Sequence, residues 1–413
     1  MKKWEHKSLD EILKKTETVN PLQNPESEFE YIDVSSISNT TFQIEETQRL
    51  KGKDAPSRAR KLIQTNDVLF ATIRPTLRRI AIVPDHLDQQ VCSTGYFVLR
   101  PKPELNHRFL FYYLQDGDFM EQMEMLQKGA SYPAVTDAEV RMQTIPLPPL
   151  PEQRRIVAIL DEAFAAIDTA KANTQQNLKN TRALFDSHLQ SVFSTLGIGW
   201  IEDRLASLTT KIGSGATPLG GENAYKSEGI SLIRSLNVHD LDFRYERLAF
   251  IDDTQAEKLS IVVVHPLDVL LNITGASVAR CCVVPEDVLP ARVNQHVSII
   301  RAIPEMIDPE FLHFMLISKP YKDKLLQTGE DGGSTRQAIT KAQIQEFKVA
   351  FPKSVTEQRS IVARLKVIMT ETRRLESIYQ QKLDALEALK KSLLHDAFRG
   401  KLTNHNKQLT TVS

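Results

Sequence analysis

The chain has little of what usually announces a compartment or a reaction. Only three of its 413 residues are cysteine, Cys92, Cys281 and Cys282. That is too few for a disulfide framework, and no C-x-x-C pair offers zinc ligands. Ordinary buried thiols in a reducing cytosol are expected instead. The longest aliphatic runs, such as Ile261-Val-Val-Val264, are far too short to cross a bilayer. The start, Met1-Lys2-Lys3-Trp4-Glu5-His6, has no apolar run behind its basic residues and does not read as a signal peptide.

Catalytic motifs are missing as well. There is no G-x-x-x-x-G-K-[ST] phosphate loop, no H-E-x-x-H and no EF-hand loop. Gly213-Ser-Gly215 lacks the third glycine of a dinucleotide fingerprint, and Pro218 stands where the helix should begin. No Asn-Pro-Pro-aromatic motif of an amino-methyltransferase is present, and the ten histidines are scattered. No catalytic residue and no metal site are expected, so a binding or scaffold role is favoured. Net charge is also absent, with 52 Lys+Arg against 52 Asp+Glu. That argues weakly against a nucleic-acid binder, which normally carries excess base. The charge is segregated, however. From Arg49 to Arg79 there are nine basic residues and two acidic ones, Asp54 and Asp67, preceded by Glu26, Glu28, Glu30, Glu45 and Glu46. This distribution permits a local basic face.

What the chain does have is a repeat. Ile145-Pro-Leu-Pro-Pro-Leu-Pro-Glu-Gln-Arg154 leads into Ile156-Val-Ala158, and Glu357-Gln-Arg359 with Ile361-Val-Ala363 repeats the core 205 positions later. Other blocks follow in the same order at offsets of 196 to 205. Trp4, Leu9 and Ile12 match Trp200, Leu205 and Leu208. Residues 67–72 match 268–273, 79–84 match 280–285, 106–114 match 308–316, and 129–136 match 333–340. Loop insertions in a duplicated domain produce such small, ordered shifts.

Local patterns place a short amphipathic helix over 4–15, with Trp4, Leu9, Ile12 and Leu13 inward. Strands are expected near 66–73, 79–83 and 95–100, and a helix over 108–125. Each repeat ends in a stretch of about 44 residues without internal Pro or Gly, roughly 66 Å as a helix. Apolar residues fall near heptad spacing. The first stretch carries Leu160, Phe164, Ile167, Leu178 and Phe185, interrupted by Lys171, Thr174 and Thr181. The second carries Leu365, Ile368, Leu375, Leu383, Leu386 and Leu389. Faces that long must bury against something, and the other copy is the simplest partner. The expected fold is α+β. Two tandem globular α/β domains are separated by two long helices that form an antiparallel intramolecular coiled coil, with pseudo-two-fold symmetry. The boundaries are 1–150 for the first domain, 151–197 for the central helix, 198–353 for the second domain and 354–402 for the C-terminal helix. A polar tail follows at 403–413.

With these motifs the chain resembles the specificity (S) subunit of type I restriction–modification enzymes. The resemblance covers essentially the whole chain. It is carried by the Pro-rich run into Glu152-Gln153 and its copy at Glu357-Gln358, by Leu394-His-Asp-Ala-Phe-Arg-Gly-Lys-Leu402, and by Thr274-Gly-Ala-Ser-Val-Ala279. Asn294-Gln-His296 and Gly332-Gly-Ser-Thr-Arg-Gln337 add to it. The first domain departs at Arg74-Pro-Thr-Leu77, which replaces the Thr-Gly-Ala-Ser run.

The resemblance implies that each domain is a target-recognition domain reading half of a bipartite, gapped DNA site. The helices would act as a ruler setting the gap and would dock two methyltransferase subunits, with Leu160, Phe164, Ile167, Leu178, Phe185, Leu365, Ile368, Leu375, Leu383 and Leu386 as coiled-coil and docking positions. Those partners would bring S-adenosylmethionine and methylate adenine N6. Restriction/translocase subunits would bring ATP and Mg2+. The chain itself would hold no cofactor and perform no chemistry, in the cytoplasm and away from membranes. Loops rich in groove-reading side chains supply the DNA-binding candidates. These are Arg74, Arg78, Arg79, Lys128, Ser131 and Tyr132 in the first domain. In the second they are Thr274, Ser277, Arg292, Asn294, Gln295, Ser334, Thr335, Arg336 and Gln337. The competing reading is a coiled-coil adaptor that does not bind DNA, and balanced charge favours it slightly.

Overall fold

The computed structural model describes residues 4–195, 197–330 and 338–402. The chain divides into two compact units, Met1–Gln175 with Gln381–Ser413, and Gln176–Gln380. Each unit contains one globular domain and part of each long helix.

The first unit is built on two four-stranded sheets. One runs Leu13–Lys14, Tyr96–Pro101, Val68–Ala71, Ile80–Ile82, all antiparallel. The other runs Gln48–Lys51, Glu28–Ile32, Val91–Ser93, Ala59–Leu62, with its two middle strands parallel. In the second unit one sheet runs Thr209–Ser214, Val297–Ala302, Val269–Asn272, Cys281–Val283. The other runs Ala249–Ile251, Ile230–Ile233, Ala291–Val293, Val263–Val264, again with a parallel middle pair. Order and strand sense agree strand for strand, so the sequence repeat is a repeat of topology. The second unit adds a small hairpin, Val238–His239 with Asp242–Phe243. Val68–Ala71 and Val269–Asn272 are buried at every position, which is why they read as continuous runs rather than alternating ones.

Two local expectations give way to tertiary structure. Residues 4–15 do not form one helix. Glu5–Ser8 is a strand paired antiparallel with Thr144–Leu147, followed by a single turn, Leu9–Ile12, and a second strand, Leu13–Lys14. The expected inward residues Leu9, Ile12 and Leu13 are indeed buried. A partner 140 residues away supplies the strand hydrogen bonds, and no local period can reveal it. The helix expected over 108–125 is broken into His107–Tyr113 and Gly117–Leu126. Phe109, Tyr112, Tyr113 and Phe119 all remain in the core.

The long helices span Leu150–Ser194 and Val355–Phe398. The glutamine of each Glu-Gln-Arg signature is fully buried. Gln153 Nε2 donates to the carbonyls of Pro148 (2.8 Å) and Glu104 (2.9 Å), and its Oε1 accepts from the Asn106 N–H (2.8 Å). Gln358 does the same with Pro352 (2.8 Å), Met306 (3.1 Å) and the Asp308 N–H (2.7 Å). Asn106 and Asp308 are themselves the N-caps of His107–Tyr113 and Pro309–Ile317. One amide therefore ties the start of each long helix to the last strand before it and to the cap of a core helix. A second device also recurs. Asp67, with 1% of its surface exposed, meets Arg100 through two 2.9 Å hydrogen bonds, and Asp268, fully buried, meets Arg301 at 2.8 and 2.7 Å.

Within the first unit the two helices run antiparallel. Asp168 pairs with Lys390 (3.7 Å), and three residues further on Lys171 pairs with Glu387 (2.8 Å), three residues back. Ile156, Val157, Leu160, Phe164 and Ile167 share a core with Leu394, Ala397 and Phe398 and with the globular domain. In the second unit Arg182 pairs with Glu376 (2.8 Å), and Phe185, Leu189 and Phe193 share a core with Ile361, Val362 and Leu365. Thr174 and Thr181 do not interrupt the seam. They are buried in it, each hydroxyl donating to the carbonyl four residues back, on Ala170 and Asn177. Leu389, expected inside, is 47% exposed, while Leu386 and Lys390 take the packed side.

Candidate nucleic-acid interface

Each unit carries a hairpin whose tip closes with a 3-10 turn. In the first unit the turn is Pro75–Leu77, between Val68–Ala71 and Ile80–Ile82. In the second it is Gly275–Ser277, between Val269–Asn272 and Cys281–Val283. The departure at Arg74-Pro-Thr-Leu77 thus keeps both the turn and the left-handed residue. Arg74 takes φ 50 in one hairpin, and its equivalent Gly275 takes φ 75 in the other. A non-glycine residue with positive φ carries strain, so Arg74 must be held.

Its neighbours show how. The Arg74 N–H donates to the Pro133 carbonyl (2.7 Å), and Val135 N–H donates to Thr72 O (2.9 Å). The guanidinium donates to the Ser131 carbonyl (3.3 Å) and lies 5.2 Å from the centre of the Tyr132 ring. Tyr132 itself is 72% exposed. The structure therefore brings Arg74, Ser131 and Tyr132 together as one exposed cationic and aromatic surface. Lys128 lies at the base of the same loop, through a two-bond bridge to Ala134, and its ammonium pairs with Glu139 at 2.8 Å. That contact, helped by the Thr136 N–H and hydroxyl, holds the Glu139 carboxyl down at about 2. Arg78 is half-buried and lines a cleft of about 720 Å³ that also includes Asp118, Glu121 and Lys391.

Arg79 is placed differently. Its Nη1 donates to the carbonyls of Val34 (3.3 Å), Ser35 (2.9 Å) and Ile37 (2.7 Å), so it clamps the loop that follows Glu28–Ile32. The start of the basic run before it is matched by acid. Arg49 pairs with Glu28 (2.7 Å), and Lys51 and Lys53 both reach Glu26 (3.1 and 3.4 Å). Glu26 and Glu28, which precede the run in sequence, thus answer its first three cations and reduce the basic face that the sequence permitted.

In the second unit Thr274, Ser277, Arg280 and His296 line a shallow cleft of about 410 Å³ with Ser235 and Leu236. Thr274 Oγ1 lies 2.5 Å from His296 Nδ1. Gln295 is exposed and sits between Thr217 and the His296 ring. Two candidates turn inward. Arg292 lies on the strand Ala291–Val293 and donates to the carbonyls of Ala256 (3.3 Å) and Ala291 (3.0 Å), and burial lowers its pKa. Asn294 is 4% exposed, and its side-chain oxygen accepts the His296 N–H at 3.0 Å, closing the turn between two strands. Ser334, Thr335, Arg336 and Gln337 lie outside the described residues. Sequence reasoning passed over His296 as a site residue. It was visible in Asn294-Gln-His296, but a lone histidine carries no signal until Thr274 is seen against it.

The helix positions named from the sequence are mostly internal. Leu160, Phe164, Ile167, Phe185 and Leu365 are buried in the core of their own unit, and Leu178, Ile368, Leu375, Leu383 and Leu386 are half-buried. The exposed apolar side chains on the long helices are others, Leu184 (51%), Val367 (65%), Ile378 (42%) and Leu389 (47%). Leu184 and Leu389 occupy the same place in the repeat, each after an alanine. Among the described residues no helix is long and apolar enough to cross a membrane, and no group of His, Cys, Asp and Glu could hold a metal ion.

Comparison with known proteins gives a consistent picture. The sequence model of the type I restriction modification DNA specificity domain matches residues 1–180 and again 211–387. The chain is 25% identical over 350 residues to the type I restriction enzyme EcoBI specificity subunit of Escherichia coli, covering 78% of this chain and 70% of that one. Among solved structures, the HsdS subunit from Thermoanaerobacter tengcongensis is 31% identical, with a TM-score of 0.69 and 97% of each chain covered. A chain from a structure of complex assembly and conformational transition in the type I R-M system is also 31% identical. Its TM-score is 0.82, with 97% of this chain and 99% of that one covered.

Proposed function

The chain belongs to the type I restriction modification DNA specificity family, and from that premise we propose how it works. Each unit reads one half of a bipartite DNA site, and the two halves are separated by a stretch that neither unit reads. The observation that carries this is the coincidence of two family matches with two units of identical strand order. The reading surfaces are the hairpin tips, with Arg74, Ser131 and Tyr132 in the first unit and Thr274, Ser277 and Gln295 in the second. Arg79, Arg292 and Asn294 hold these surfaces in shape.

The long helices set the unread gap. Each is continuous and passes from one unit into the other, so the readers are joined by helix and not by a loop. Two readers on one duplex must respect its helical repeat, about 34 Å per turn, and a helix keeps that spacing where a flexible linker would not. The chain performs no chemistry itself. Two methyltransferase subunits dock on the helices and bring S-adenosylmethionine. Restriction subunits bring ATP and Mg2+, and the assembly works in the cytoplasm. The equivalent exposed side chains Leu184 and Leu389 suit two copies of one partner, since a repeated surface offers a repeated contact.

Co-expression with a methyltransferase subunit, followed by mapping of N6-methyladenine, tests the proposal. A gapped, two-part motif is expected. Replacing residues 200–350 by those of another family member should change only one half of it. Absence of any such motif, or a change in both halves after the swap, refutes the reading.

A further inference from the structure

We propose that the hydroxyls of Thr274 and Ser277 are locked as outward-pointing donors, so that the second unit selects a keto base, guanine or thymine, at one position of its half-site. This rests on the DNA-reading function proposed above and goes on to name what one element reads. The argument follows hydrogen bonds from one side chain to the next. Thr217 Oγ1 donates to Gln295 Oε1 at 2.5 Å, which turns the amide nitrogen of Gln295 toward His296 Nε2, 3.1 Å away. An amide nitrogen can only donate, so His296 Nε2 is the acceptor and the ring hydrogen is on Nδ1. That nitrogen lies 2.5 Å from Thr274 Oγ1 and donates to it. Thr274 already accepts from inside and keeps its own hydrogen for the cleft.

Ser277 reaches the same state by another route. Asn272 is fully buried, and its amide nitrogen donates to the Ser235 carbonyl at 2.8 Å, which fixes the orientation of the amide. The same nitrogen donates to Ser277 Oγ at 3.2 Å. Both hydroxyls line one cleft, and between them are Gly275, with open space where a side chain would be, and the exposed Ala276. In the major groove guanine and thymine offer keto oxygens, whereas adenine and cytosine offer amino donors at the corresponding place. Two hydroxyls that each already accept from inside offer their hydrogens first, so they favour the first pair over the second. The first unit has no such relay, since its hairpin tip is Arg74-Pro-Thr-Leu77 and its corresponding strand connection is Thr94-Gly95.

The relay can be broken by one change. In Gln295→Leu nothing donates to His296 Nε2, so the ring hydrogen is no longer held on Nδ1 and Thr274 loses its fixed inner donor. The assay uses the full chain assembled with its methyltransferase subunit, after the wild-type motif has been mapped. Competition binding is measured with duplexes in which each base pair of the second unit's half-site is changed in turn, and this panel also separates guanine from thymine.

The wild type should prefer a keto base at one position by on the order of tenfold. Gln295→Leu should weaken that preference at the same position. Thr274→Val should flatten it, and Thr274→Ser, which keeps the hydroxyl, should retain it. The inference is overturned if Gln295→Leu and Thr274→Val keep the wild-type preferences. It is equally overturned if they weaken all duplexes alike, which would place the hydroxyls on phosphates. A wild type that methylates no gapped motif refutes the DNA-reading function itself, a result distinct from either.

Discussion

The buried amide of Gln358 lends itself to a quantitative test. Replacement by Leu keeps much of the volume and removes three hydrogen bonds. Two of the stranded groups, the Asp308 N–H and the Pro352 carbonyl, are buried, and water can reach the third, the Met306 carbonyl. At about 2 kcal/mol for each buried unpaired group, the loss is about 4 kcal/mol, less about 1 kcal/mol for the added apolar burial. A unit of this size has an m-value of about 2 kcal/mol per M urea, so the midpoint should fall by about 1.5 M. The two tryptophans make the assay specific, since Trp4 lies in the first unit and Trp200 in the second. In a Trp4→Phe background, fluorescence during urea unfolding reports the second unit. A fall below about 0.3 M would refute the reasoning, because hydrogen bonds that cost so little to lose are not holding the helix start. Gln358→Glu should be worse than Gln358→Leu at pH 8, since a buried carboxylate can accept from Asp308 but cannot donate to two carbonyls.

Other expectations concern pH, partners and the loop clamp. Burial lowers the pKa of His313 to about 4 from 6.5, against the opposing pull of the Cys281 carbonyl. The unfolded chain therefore binds a proton between those values and the folded one does not. Stability of the second unit is full above about pH 6.5 and falls by up to about 3 kcal/mol as pH drops toward 4. Urea midpoints at pH 7.5 and 5 should differ accordingly, and the difference should shrink in His313→Gln; an unchanged pH dependence in that variant refutes the assignment. Leu184→Glu with Leu389→Glu should weaken methyltransferase assembly at least tenfold by gel filtration or calorimetry, with melting unchanged, because both side chains are exposed. Unaltered assembly would remove them from the interface. Arg79→Ala should release the loop at 34–37 and cost about 2 kcal/mol, with faster amide exchange there. If Arg79→Ala instead leaves stability intact and selectively weakens DNA binding, the arginine is a reader and not a clamp.

The sequence revealed the duplication, the long helices and the strands of the hairpins, because these rest on repetition and on local period. It did not reveal groups that meet across long separations. Asp67 and Arg100 are 33 residues apart, Gln153 and Asn106 are 47 apart, and Arg79 and Ser35 are 44 apart. Each looks like an ordinary surface residue until its partner is known. The charge run at 49–61 is partly answered in the same way, and only the folded chain shows that Glu26 and Glu28 reach Arg49, Lys51 and Lys53. The candidate site was half-legible. Loop composition named Arg74, Tyr132, Thr274 and Ser277, which stand at exposed loops or a cleft, but it could not separate them from Arg79, Arg292 and Asn294, which have the same residue types and face inward.

One feature of the fold bears on how the protein is made. The second unit is a single stretch, Gln176–Gln380, whereas the first is completed by Gln381–Ser413. Leu394, Ala397 and Phe398 are buried in the first unit's core, and Phe398 packs on Phe109 at 5.1 Å and on Tyr113 at 5.4 Å. On the ribosome the domain that emerges first must therefore wait for roughly 200 more residues, tens of seconds at about 5–20 residues per second, before its last side chains arrive. The unit that is synthesised first is thus the last to be completed. For that interval Phe109 and its neighbours lack their cover, so aggregation during expression should depend on what shields the N-terminal unit, and a truncation before Leu394 should damage the domain furthest from it in sequence.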